Sequence, residues 1–251
     1  NTVGGTNAGN SFTGTDAEKN TLIGYNAGTS ITTADYNSAF GWWALKATTT
    51  GNFNSAFGVQ TLKANTTGVF NQAFGSSALE NSTTASYNSA LGHKAGDSIT
   101  TGGKNTIIGY EAGSSLTTGT DSTFIGYKAG YSATTYWDNV AVGREALKSC
   151  TTGGWNVCMG SDSLENCSTG ASNTALGHKA LNAVTTGAEN IGLGRQAGDA
   201  ITTGSNNIVI GYDAAASSAT TSHEITLGNS DITKFRIPGL NFSLKDTTAT
   251  E

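Results

Sequence analysis

The chain has 251 residues, of which 12% are charged, with 34 glycines, one proline and a formal net charge of −5. That balance argues against nucleic acid as a partner, since no basic stripe exists to neutralise phosphates. The charged fraction is half the ~25% usual in globular domains and points to a repetitive fibre, while no apolar run nears the ~20 residues that span a bilayer, so no membrane insertion is expected.

Reading from the N-terminus, a glycine at Gly5 is followed by Gly24, Gly41, Gly58 and further copies every 17 residues as far as Gly228. Fixed self-similarity at such a period signals a solenoid or comparable array. The first unit, Asn1 to Lys19, is two residues longer than the rest, which predicts a surface bulge near Thr13–Ala17. Twelve units of 17 residues follow without a slip. Residues 1–223 therefore read as one shaft, and 224–251 as a partial repeat with a C-terminal cap and tail. Because Asn1 opens directly on a repeat, with no signal peptide, a fragment or processed product is expected.

Each unit runs Asn, a small polar residue, Ala or Val, a large apolar residue, Gly, two variable residues, Ala, then Leu or Gly, with Thr-Thr further on. Thr, Gly, Asn and Ser oppose helix. Two short strands per unit, separated by turns, fit the spacing. The expected fold is all-β, a parallel β-solenoid whose coils rise by roughly 4.8 Å. Stacked coils would align Asn20 through Asn207 in one amide ladder.

Two positions share one volume. Gly28, Gly96 and Gly113 pair with the large Ile31, Ile99 and Leu116, whereas Leu45, Leu62, Leu79 and Leu147 pair with Thr48, Asn65, Ser82 and Cys150. Close packing explains the exchange; Gly130 with Ala133 fits it less well. The large residue before each glycine (Ile23, Phe40, Phe57 and so on) is expected in the core. That core remains thin, which predicts burial of a second face in a closed homotrimer.

Among reactive groups, Cys150 and Cys167 stand one period apart, at a distance compatible with a disulfide, but both also read as small buried hydrophobes, as does Cys158. His93 and His178 lie five coils apart and form no metal site within a chain. No nucleophile–base or paired-carboxylate pattern appears, so neither catalysis nor a cofactor is expected. The Thr-Thr column raises an ice-binding alternative, weakened because consecutive strand residues point to opposite faces and give one outward column.

Aromatic residues are the best functional lead, because their faces stack on sugar rings and they are enriched in binding hot spots. Thr134-Thr135-Tyr136-Trp137 replaces the usual turn, with Tyr131 before it and Trp155 in the following unit; Trp42 and Trp43 form a second departure. These six aromatics are the candidate ligand-binding residues. Tyr36, Phe53, Phe70 and Tyr87 form a regular column that reads as core or interface. Beyond the repeats, alternation at Phe235, Ile237, Leu240, Phe242 and Leu244 predicts a cap over the last open edge.

The units NSAFG, NSALG and NTALGHKAL resemble the repeats of trimeric autotransporter adhesin heads, although those units are nearer 14 residues. With the segment ITLGNSDIT at Ile225–Thr233, the array is more similar to bacteriophage tail-fibre shafts of marine and cyanobacterial phages. The resemblance implies a left-handed β-roll and a homotrimeric fibre of the virion. It also implies attachment to host surface polysaccharide or lipopolysaccharide, and contact with other tail proteins beyond the N-terminal end. A bacterial adhesin head at the cell surface is the alternative.

Overall fold

The computed structural model describes residues 1–12, 17–234 and 236. The expected first-coil bulge, apart from Ala17, lies outside these residues, as do Phe235, Ile237, Leu240, Phe242 and Leu244 of the expected cap.

One three-residue strand forms in each coil, from β1 (Thr2–Gly4) and β2 (Thr21–Ile23) to β13 (Ile208–Ile210) and β14 (Ile225–Leu227). The 14 strands make a single parallel sheet in strict sequence order. From β2 onward each residue pairs with the one 17 positions away, as Ser38 with Ser55 and Phe40 with Phe57. The chain is a parallel β-solenoid with the predicted period.

Two expectations are corrected. The second strand expected in each coil does not form among the described residues. That side is held instead by single backbone bonds to the next coil, such as Leu45 N–H to Thr61 O at 3.1 Å and Ala47 N–H to Lys63 O at 3.0 Å. Recurrent left-handed residues, including Trp43 (φ 64°) and Leu45 (φ 51°), break the pleat there. The large residue before each glycine faces outward, not into the core. In a three-residue strand only the middle side chain points inward, and from β2 to β13 that residue (Leu22, Ala39, Ala56 and their equivalents) is buried.

The repeat glycine cannot be replaced. Gly58 sits at φ 140°, and a Cβ there would lie 2.6 Å from the carbonyl oxygen of Gly75 in the next coil. Only glycine combines that conformation with so close an approach of two backbones.

The shared volume is real. A Cβ on Gly28 would meet Ile31 Cδ1 at 2.9 Å, and one on Gly96 would meet Ile99 Cδ1 at 3.0 Å. Where leucine replaces the glycine, as at Leu45 and Leu147, it fills the same space and is fully buried. Gly130 and Ala133 depart from this rule because Phe124 and Tyr136 occupy their coil, edge to face at 6.4 Å between centroids.

Buried beside this core, Asn20 through Asn207 form the predicted ladder, interrupted at Ser122. Each Oδ1 accepts the backbone N–H of the next asparagine, as Asn54 N–H to Asn37 Oδ1 at 2.9 Å. Each Nδ2 reaches a turn carbonyl, as Asn54 to Gly68 O at 2.8 Å. The first threonine of each Thr-Thr pair donates to the carbonyl one coil on, as Thr49 Oγ1 to Thr66 O at 3.2 Å.

Candidate functional site

The 17-residue register sorts surface side chains into columns, and what each column presents follows from its neighbours one coil away. Tyr36, Phe53, Phe70 and Tyr87 stand on an outer corner, not in the core, with near-parallel rings 4.7, 4.8 and 5.3 Å apart. Their faces cover one another, so mainly ring edges meet solvent. The four residues adopt φ near 60°, which turns the chain at that corner.

The candidate residues divide three ways. Tyr136 is only 5% exposed. It stands in a column otherwise filled by Gly and Ala from Ala34 to Gly204, and it enters the coil because Gly130 and Ala133 leave room there. It cannot stack on a ligand, and its hydroxyl has no hydrogen-bond partner. Burial pushes that phenol well above its ordinary pKa, with the nearby thiols of Cys150, Cys158 and Cys167 adding to the effect.

Trp42 and Trp43 stack on each other at 4.3 Å. The ammonium of Lys46 lies 4.3 Å from the Trp43 ring centre and that of Lys63 lies 5.4 Å away. Half-buried Tyr131 lies under Lys128 Nζ at 5.1 Å. These three rings already have partners, and they lie away from the Tyr136–Trp155 turn.

Trp137 and Trp155 are different. They are 54% and 58% exposed, and neither has an aromatic partner among the described residues. The backbone joins them, Trp155 N–H donating to Trp137 O at 3.3 Å. With Thr135, Thr152 and Gly154 they line a surface groove of about 180 Å³. Gly154 is the residue one coil from Trp137, and a Cβ there would lie 3.2 Å from Trp137 O. No charged side chain lines the groove. Two indole faces beside threonine hydroxyls suit a ring with an apolar face and a hydroxylated edge.

All three cysteines are free and buried. The Cys167 sulfur beside it, together with burial, pushes the Cys150 thiol up. His178 Nε2 lies 3.8 Å from Asp162, whose carboxylate receives Arg144 Nη2 at 2.6 Å. Among the described residues no group of three His, Cys, Asp or Glu side chains could hold a metal ion, and no helix is long and apolar enough to cross a membrane.

One further feature was missed in sequence. The outward residues before the repeat glycines, Ile23, Phe40, Phe57, Phe74, Leu91, Ile108 and on to Leu227, form an unbroken exposed or half-buried apolar column. The strand residue on its flank is polar from Thr21 to Thr123 but becomes Val140, Val157, Ile191, Ile208 and Ile225 further on, with Thr174 the one polar residue. Neither column carries a charge from β2 to β14. The signal was present in the alternation of a three-residue strand, had period 2 been applied from the middle residue outward.

No protein family, curated protein or solved structure matches this chain.

Proposed function

We propose that this chain is the shaft of a trimeric virion tail fibre, a non-catalytic spacer that also binds a glycan on the host surface. The observation that carries the reading is the uncharged apolar column from Ile23 to Leu227. At ~4.8 Å per coil its twelve steps run about 58 Å. A stripe that long and one to two side chains (about 5–10 Å) wide covers roughly 300–600 Å², so neighbouring surface must supply the rest of the ~800 Å² per partner of a standard interface.

A second copy of the chain matches the stripe in pitch, length and chemistry. Three copies about one axis let each stripe touch both neighbours, and closed symmetry leaves no stripe open. All three then run in the same direction, which suits a fibre held at one end by other tail proteins. Trp137 and Trp155 lie outside the two apolar columns, free to meet host polysaccharide or lipopolysaccharide.

The test is retention of the purified protein on polysaccharide and lipopolysaccharide extracted from a panel of marine cyanobacteria. Retention on at least one extract, weakened tenfold or more in Trp137→Ser and in Trp155→Asn, is expected. Retention on none, or retention indifferent to both substitutions, contradicts the attachment role.

A further inference from the structure

A second groove lies on the same corner of the solenoid, and a glycine of the same column lines it. The column that contains Trp137 and Gly154 also contains Asp35, Asn52, Ser86, Gly103, Ser205 and Ser222. Where this column carries Asp, Asn or Ser, the side chain accepts the backbone N–H one coil earlier. Asp35 N–H donates to Asn52 Oδ1 at 2.7 Å, Val69 N–H to Ser86 Oγ at 3.0 Å, and Ala188 N–H to Ser205 Oγ at 3.0 Å. No such bond forms at Gly103 or Gly154, nor at Val69, Thr120, Trp137, Ala171 or Ala188, and the two glycines alone carry no side chain at this position. The amides of Ser86 and Trp137 are therefore left with no acceptor among the described residues.

At Gly103 the missing side chain opens a groove of about 340 Å³ lined by Tyr87, Lys104, Asp121 and the threonines Thr84 and Thr101. Tyr87 ends the stacked aromatic column: one ring face lies on Phe70, and the other has no aromatic neighbour. Lys104 and Asp121 sit 3.8 Å apart and offset each other's charge. Each groove thus joins an open aromatic face, a pair of threonines from neighbouring coils and an unsatisfied backbone N–H. Gly103 and Gly154 are 51 residues apart, which is three coils or about 14 Å along the axis.

We infer that the two grooves are subsites for one extended, uncharged, linear oligosaccharide lying along the corner parallel to the solenoid axis. The inference rests on the glycan-binding reading above and adds to it the length, charge and direction of the ligand. Each aromatic face stacks on a sugar ring, and the free amide with the threonine hydroxyls takes the ring's hydroxyls. Occupying one subsite raises the local concentration of the same chain at the other, so affinity grows with chain length until both are spanned.

The experiment titrates the full chain with size-fractionated linear α-1,4-glucan fragments of one to eight residues, following tryptophan fluorescence and calorimetry. The octasaccharide should bind at least tenfold more tightly than the disaccharide. Gly103→Ser places in the second groove the residue this column carries at Ser86 and Ser205; because a Cβ there would meet Ser86 O at 2.7 Å, circular dichroism checks that the coil is kept. It should remove the gain for the octasaccharide and leave the disaccharide unchanged. Tyr87→Asn provides a second route to the same result, because asparagine already occupies that left-handed corner position at Asn206. Gly154→Ser should weaken fragments of every length. Binding independent of length, or an octasaccharide affinity untouched by both Gly103→Ser and Tyr87→Asn, overturns the two-subsite inference while leaving a single Trp137–Trp155 site standing. Failure of every fragment to bind the unsubstituted chain at millimolar concentration overturns the two-subsite inference, and retention on the extracts above decides separately whether glycan binding stands.

Discussion

Asn37 is tied twice to a single atom of Asn20, whose Oδ1 accepts the backbone N–H of Asn37 at 2.9 Å and its side-chain Nδ2–H at 3.2 Å. Repeated along the shaft, this link joins each coil to the one before it without any side chain crossing the interior. It lets an interior filled mainly by alanine and one leucine or isoleucine hold a fixed register. Buried amides are stabilising only when fully satisfied, and the turn carbonyl bound by each Nδ2 completes the set.

The ladder should be most sensitive where it is complete and improvable where it is broken. Asn71→Ala removes the acceptor for Asn88 N–H and the donor to Ala85 O, and should cost about 2–4 kcal/mol. At Ser122 the next amide, Asn139 N–H, reaches Oγ only at 3.3 Å, and Asn139 Nδ2 turns to Trp137 O instead. Ser122→Asn should restore the ladder and raise the unfolding free energy by about 0.5–1.5 kcal/mol. Chemical denaturation of both variants checks the pair.

Tyr136 makes a sharper test of interior against surface. Tyr136→Gly, which restores the residue most coils carry, should cost about 3–5 kcal/mol, because a cavity opens beside Phe124. Tyr136→Phe deletes a buried hydroxyl that has no partner and should be neutral or stabilising by about 1 kcal/mol. Thermal melts that rank the two variants the other way would place the ring outside the core.

These two residues show where the sequence was readable. Period, asparagine ladder and the Gly28–Ile31 type of exchange were legible because each follows from spacing or conserved volume within one chain. The inward residue of each strand was not, because bulk favours Phe40 over Ala39 as core, whereas the pleat selects Ala39. Tyr136 was misleading for a related reason. Its column is otherwise Gly and Ala from Ala34 to Gly204, so an aromatic there looked like a surface departure until Phe124 and Ala133 could be seen sharing its coil. Trp137 and Trp155 were legible as exceptions, but the groove they line with Gly154 depends on stacking in three dimensions.

Acid should loosen the last turn first. Glu224 takes the ladder position after Asn207, and its carboxylate accepts the Ser217 and Thr226 hydroxyls, the Ser217 backbone N–H and the Thr221 hydroxyl. These bonds hold its pKa below the usual 4.5. A carboxyl depressed on folding stabilises fully above its unfolded pKa, and the contribution is lost as pH falls through the folded value. Hydrogen-exchange protection at Ser217 should therefore hold at pH 6, fall below pH 4.5, and be weak at both in Glu224→Gln. Equal pH dependence in the two proteins would remove Glu224 as the cause.

The outward column should govern association without governing the fold. Leu91 is 52% exposed, so Leu91→Lys leaves the coil interior intact and places a charge within the apolar stripe. Circular dichroism should match that of the unsubstituted chain, while association weakens by at least tenfold in concentration. A loss of strand signal would mean that Leu91 supports its own coil.

The trimer proposed above requires this solenoid to bury its apolar column against two further copies of itself. Light scattering coupled to size exclusion measures this directly. Three chains of 25.5 kDa should elute as one species of about 76 kDa that persists on dilution through the micromolar range, as a large apolar interface requires. A stable 25.5 kDa species that stays soluble with Ile23 to Leu227 open to water would contradict it.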